Sequence, residues 1–191
     1  MRDKLMVFID GSNLLRETAK QISANFRSDK PPKEAILLCA VIVNVLLSRI
    51  KKEDKFYDFK HIRTYWFGSC QGDESYETTL KQILRSCGME PVIFRKRQGR
   101  EKRVDIAIAR EMLINAINKN YDLGLLLAGD EDYLDLVNDV KRLGVRVIGS
   151  FYDSSALSKH LQLSFDNFHQ LHVWGENRQE LVSSLGGKLP Q

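Results

Sequence analysis

Four aspartates and an asparagine stand where apolar runs of this chain end or begin: Asp10 and Asn13 after Leu5–Ile9, Asp105 ahead of Ile106–Leu113, and Asp130 with Asp132 after Leu123–Ala128. A carboxylate directly after a strand-like run sits at the strand's carboxyl end, where open α/β sheets collect their ligands. Carboxylates gathered at one rim repel one another unless protons or a cation offset the charge. A hard divalent ion such as Mg²⁺ or Mn²⁺, with its preference for oxygen donors, meets that need. Each aspartate also has a purely structural reading. Asp10, Ser12 or Asn13 is a good cap for the helix after the first run, and Asp105 for a later one. Ile108 stands where a capping box begun at Asp105 would place Glu or Gln. The acids Asp130-Glu131-Asp132 complement the dipole of the helix they open. Capping explains each acid singly. Three junctions delivering carboxylates to one rim favour a shared cation site.

A second group of charged residues has the opposite sign. Arg95, Lys96, Arg97, Arg100, Lys102 and Arg103 lie within nine positions and face only Glu101, a local net of +5 against +4 for the whole chain, so the basic character is local. Such a segment is a contact surface for a polyanion or a solvated loop. It follows a strand-like run and belongs at the same rim as the acids. The turn Asp10-Gly11-Ser12-Asn13 adds a hydroxyl and an amide able to hold a substrate oxygen.

The elements that must position these groups are readable from periodicity. Leu5–Ile9, Ile62–Phe67, Pro91–Phe94, Leu123–Ala128 and Val145–Gly149 are short apolar runs bounded by turn residues, as in strands covered on both faces. Helical patterns over Lys33–Lys52, Glu74–Ser86, Val104–Asn118 and Tyr133–Leu143 alternate with them. The expectation is an α/β three-layer sandwich around a mainly parallel five-stranded sheet, with helices on both faces. Gly88 and Gly144 stand where helices end. The helix from Lys33 is apolar nearly all round, which predicts burial between neighbours or a homodimer interface. The length suits one domain over residues 1–174, followed by a polar, flexible tail over 175–191.

Several function classes are excluded or unsignalled. The first apolar run is too short for a signal peptide core, and the longest apolar stretch, Ala35–Leu47, is 13 residues and contains Asn44. Cys39, Cys70 and Cys87 form neither a disulfide framework nor a zinc motif. A soluble, cytoplasmic protein without membrane contact is the expectation. No Gly-x-Gly-x-x-Gly, Walker loop or Gly-x-Ser-x-Gly elbow is present, and Ser12 replaces the second aspartate of a dehalogenase-type phosphatase. Tyr65, Trp66, Phe67 and Tyr76 read as core residues, with base stacking as the functional alternative.

Taken in order, Val7-Phe8-Ile9-Asp10-Gly11-Ser12-Asn13, then Lys102-Arg103-Val104-Asp105-Ile106-Ala107-Ile108-Ala109, then Ala128-Gly129-Asp130-Glu131-Asp132-Tyr133 resemble the NYN-domain family, a branch of the PIN-like nucleases. Gly144–Gly149 resembles the strand that closes the family's sheet. The resemblance implies a PIN-like (Rossmann-like) fold and ribonuclease chemistry with a divalent metal. Carried over by position, Asp10, Asp105, Asp130 and Asp132 match the acidic residues and Asn13 the amide of the first motif. The third motif departs from the pattern Ser-Gly-Asp-x-Asp-Phe, with Ala128 and Tyr133, and has Asp135 where the family continues to a proline. The expected function is metal-dependent hydrolysis of RNA, single-stranded for preference, with Mg²⁺ or Mn²⁺ held by the aspartates. Ser12, Asn13, Arg95, Lys96, Arg97, Arg100, Lys102 and Arg103 would contact the strand. A non-catalytic module binding RNA or protein, and a phosphatase acting on a small ester, are the competing expectations.

Overall fold

The computed structural model describes residues 2–53, 58–96, 103–173 and 179–187. Strand β1 (Asp3–Asp10) leads directly into helix α1 (Gly11–Gln21). Helix α2 (Lys33–Glu53), strand β2 (Phe59–Cys70), helix α3 (Glu74–Ser86), strand β3 (Glu90–Arg95) and helix α4 (Arg103–Ile117) follow. The second half holds β4 (Leu123–Leu127), a 3-10 turn at Glu131–Tyr133, α5 (Leu134–Arg142), β5 (Arg146–Phe151), α6 (Lys159–Ser164), β6 (Asn167–Gln170) and α7 (Gln179–Ser184).

The sheet order is β3-β2-β1-β4-β5-β6, and every neighbouring pair is parallel. A parallel sheet buried on both faces needs continuous apolar strands, and β4, Leu-Gly-Leu-Leu-Leu, is buried throughout. The period of two divides β1 between two cores. Leu5, Val7 and Ile9 pack with α1, α2 and α3 on one face, while Met6 and Phe8 pack with α4, α5 and α6 on the other. Asp10, two positions beyond Phe8, inherits the α4 and α5 side.

The sheet has six strands where the sequence predicts five. The additional strand, Asn167-Phe-His-Gln, is short, carries one apolar residue and pairs only with β5 at the sheet edge. A polar edge strand carries neither alternation nor a continuous apolar run, so periodicity passes over it. Helix α2 packs against α1, α3 and α7, which buries most of its circumference. Within the segment expected to be a polar tail, α7 places Val182 in the same core. Among the described residues no helix is long and apolar enough to cross a membrane.

In this order β1 lies between β2 and β4, and the chain leaves β1 for opposite sides of the sheet through its two halves. The crevice at such a switch point, outside the strands' carboxyl ends, is where α/β sheets bind ligands. Asp10 closes β1 and Asp130 follows β4, so both border that crevice.

Candidate metal centre at the sheet switch point

A cavity of about 80 Å³ opens at this point, lined by Asp10, Ser12, Asn13, Arg16, Val104, Asp105 and Asp130. Asp10 is 6% exposed. Its side chain caps α1, with Oδ1 accepting from the Asn13 backbone N–H at 3.0 Å. Capping uses that oxygen and leaves Oδ2 to accept from the Tyr133 hydroxyl at 3.0 Å. Asp10 therefore caps α1 with one oxygen while lining the cavity. Asp130 does the same, capping the 3-10 turn through Oδ1 with the Asp132 N–H at 3.2 Å while lining the cavity.

Asp105 lies in the first turn of α4, and its Oδ1 accepts from the same Tyr133 hydroxyl at 2.9 Å. Two carboxylate oxygens on one phenol oxygen are no more than about 6 Å apart, from which a shared ion at bonds of roughly 2.0–2.6 Å needs only small side-chain movement. Burial pushes the Asp10 carboxyl up to about 6, reinforced by the nearby Asp105 and opposed by the Asn13 N–H, the Tyr133 hydroxyl and the Arg16 charge. Burial, then the two carboxylates, drives the Tyr133 phenol far above its ordinary range, so it remains a donor at physiological pH.

Local packing sets this geometry. A β-carbon at position 11 would collide with the Trp66 ring, so only glycine lets α1 start directly against β2. Ser12 is buried, and its Oγ accepts from the Ser69 N–H at 3.2 Å, tying the turn to the end of β2. Gly129 passes equally close to Phe151 and the Ala156 carbonyl.

The structure brings Asp10, Ser12, Asn13, Asp105 and Asp130 together. Asp132 is exposed and does not line the cavity. Of the basic segment, Arg95 is paired with Glu77 at 3.1 Å, Lys96 with Asp29 at 3.3 Å, and Arg103 stacks over Phe94 at 4.8 Å. Arg97, Arg100 and Lys102 lie outside the described residues. Tyr65, Trp66 and Phe67 are buried core residues, and Tyr76 donates to the Pro31 carbonyl at 3.0 Å. Ala128 is buried in the α4 and α5 core and is not among the residues lining the cavity. Two residues escape the sequence reading. Tyr133 is visible there only as a departure from a motif, and Arg16 only by its helical spacing from Ser12 and Asn13.

The sequence of the chain matches the family model described as NYN domain over residues 4–172. The chain belongs to the NYN-domain family. An NYN domain has a PIN-like, nuclease-type fold, and the family is related to nucleases and RNA. A crystal structure of a protein of unknown function from Vibrio parahaemolyticus is similar, with 17% identity, a TM-score of 0.61, and coverage of 88% of this chain and 93% of that one. At that identity the likeness concerns the fold alone. A UDP-N-acetylglucosamine 2-epimerase structure from Rickettsia bellii has 16% identity and a TM-score of 0.44, covering 100% of this chain and 43% of its own. No curated protein matches the sequence.

Proposed function

We propose that this NYN domain is a metal-dependent ribonuclease whose catalytic centre is the cavity between β1 and β4. The observation that carries the reading is the Asp10–Tyr133–Asp105 arrangement, which holds two carboxylate oxygens on one hydroxyl with Asp130 lining the same cavity. Among the described residues no group of three His, Cys, Asp or Glu side chains is placed to hold a metal ion. The pair Asp10 and Asp105 suits an ion that needs few protein ligands. Mg²⁺ is commonly held by one or two carboxylates while water and substrate phosphate complete its octahedron. Asp10 and Asp105 would hold the ion here, with Asp130 reaching it directly or through water. When bound, it would lower the pKa of a coordinated water and neutralise charge on the phosphate.

The protein's own groups prepare that centre. The Asn13 N–H fixes one oxygen of Asp10, and Tyr133 fixes the other while holding Asp105 at a set distance. Outer-shell donors of this type orient the ligands they touch. Asn13 lines the cavity, and its side-chain amide would donate to a substrate oxygen.

The test is cleavage of labelled single-stranded RNA with Mg²⁺ or Mn²⁺, comparing the wild type with an Asp10→Asn, Asp130→Asn double variant. The reading expects turnover that chelation abolishes and the double variant lacks. Equal activity in both proteins would sink it. The competing reading is a non-catalytic module that binds RNA or protein. That module would bind RNA without turnover and ignore chelator.

A further inference from the structure

A phosphodiester entering this cavity meets Asp10, Asp105 and Asp130, and three carboxylates repel an anion at short range. Without a bound cation, only a positive side chain on the same wall offsets that repulsion. The described ends of the basic segment, Arg95, Lys96 and Arg103, do not line the cavity. Arg16 does. Ser12, Asn13 and Arg16 occupy positions i, i+1 and i+4 of α1, which puts all three on one side of its first turns. Among the described residues lining the cavity, Arg16 alone is positively charged, and its charge is felt at Asp10. Its side chain is exposed, so it stands where a ligand arrives from solvent.

We propose that Arg16 is the substrate-binding cation of this site, its guanidinium donating to the non-bridging oxygens of the scissile phosphate. The planar fork of arginine matches two oxygens of a phosphate, which a lysine point charge does not. A phosphate contact carries no sequence information, so the contribution of Arg16 should not depend on the base. This assignment rests on the nuclease reading and deepens it.

Binding of 5′-labelled oligo(U) and oligo(A) RNA, followed by fluorescence anisotropy in EDTA, tests it without turnover. The Arg16→Ala variant is expected to bind about ten-fold or more weakly, the scale of a lost charged hydrogen bond. The slope of log affinity against log salt should fall by about 0.7, the value for one phosphate contact on a single strand. Both homopolymers should suffer alike, and Arg16→Lys should recover part of the loss. Arg110→Ala, at an exposed position of α4 that is not among the residues lining the cavity, controls for the protein's general field and should bind as the wild type does. Thermal melting confirms that each variant is folded. Wild-type binding by Arg16→Ala, a loss confined to one homopolymer, or an equal loss in Arg110→Ala would overturn the assignment while leaving the nuclease reading standing. A wild type that neither binds nor cuts RNA would overturn both.

Discussion

The Tyr133 hydroxyl lies 3.0 Å from Asp10 Oδ2 and 2.9 Å from Asp105 Oδ1, and it carries one hydrogen for two acceptors. At any moment it donates to one carboxylate, and the other oxygen is held close to a phenol lone pair. Such a contact is tolerated when the second oxygen carries a proton or faces a cation. Tyr133→Phe keeps the ring in the α4 and α5 core and removes only the donor. It should cost about 1.5–3 kcal/mol in the metal-free protein, the range for a hydrogen bond to a charged group. Turnover with Mg²⁺ should fall about ten-fold or more, as when an outer-shell partner of a metal ligand is lost. Urea unfolding and initial rates on RNA measure the two effects, and unchanged values for both would show the bridge to be incidental.

Asp10 makes the metal-free fold pH-sensitive in a defined direction. Its carboxyl is raised from 3.8 to about 6 by burial, so between those values the folded chain holds a proton that the unfolded chain has lost. The stability this proton supplies is complete below pH 3.8 and is lost as pH rises to about 6. The full loss is about 3 kcal/mol, and little change from this group follows above pH 7. Asp10→Asn cannot ionise and keeps a good cap for α1. In EDTA, wild-type stability relative to that variant should therefore fall by roughly this amount between pH 4 and pH 7. Denaturant midpoints of both proteins across that range provide the check, and parallel profiles would refute it.

Much of this centre was legible in the sequence because its carboxylates sit at ends of apolar runs. Asp10 and Asp130 follow β1 and β4, and the parallel arrangement implied by alternating strands and helices brings those ends to one rim. Asp105 was legible as the opening of an apolar helix. Tyr133 was not, because an aromatic residue after three acids reads as core. Its ring is indeed core, and only the three-dimensional path of the 3-10 turn shows that the hydroxyl emerges between two carboxylates. Arg16 was hidden for a different reason. A basic residue on an amphipathic helix reads as solvated, whereas the density of charge at Arg95–Arg103 stands out as a phosphate contact. Asp132, expected in the cluster through its adjacency to Asp130, is exposed and is not among the residues lining the cavity.

Metal addition and removal should move stability independently of RNA. An ion that binds only the folded chain stabilises it by about 2.7 kcal/mol at one hundred times its dissociation constant. For a chain of this length that corresponds to a rise in melting temperature of roughly 5–10 °C. Mn²⁺ should produce such a rise in the wild type, EDTA should reverse it, and Asp10→Asn or Asp105→Asn should reduce it sharply. A wild type indifferent to Mn²⁺ by calorimetry would remove the ion from the site.

Gly11 links the fold of the site to its chemistry. A β-carbon there would occupy the space of the Trp66 ring, which is 2% exposed and packed in the α1 and α2 core, so it has no open volume into which to turn. Overpacking of a closed core costs about 1–3 kcal/mol. The strain falls between Asp10 and Asn13, where relief requires α1 to shift away from β2. That shift carries the Asn13 N–H away from Asp10 Oδ1 and loosens the Ser12 tie to Ser69. Gly11→Ala should therefore lose turnover even under conditions where circular dichroism shows it fully folded, with Mn²⁺ affinity reduced in parallel. Gly88→Ala is the control, because Gly88 lies at the end of α3 with a φ of 76° and nothing within 4 Å of a β-carbon. It should cost stability through backbone strain alone and leave the activity of the folded protein intact. Equal activity of the two folded variants would show that Gly11 serves packing only.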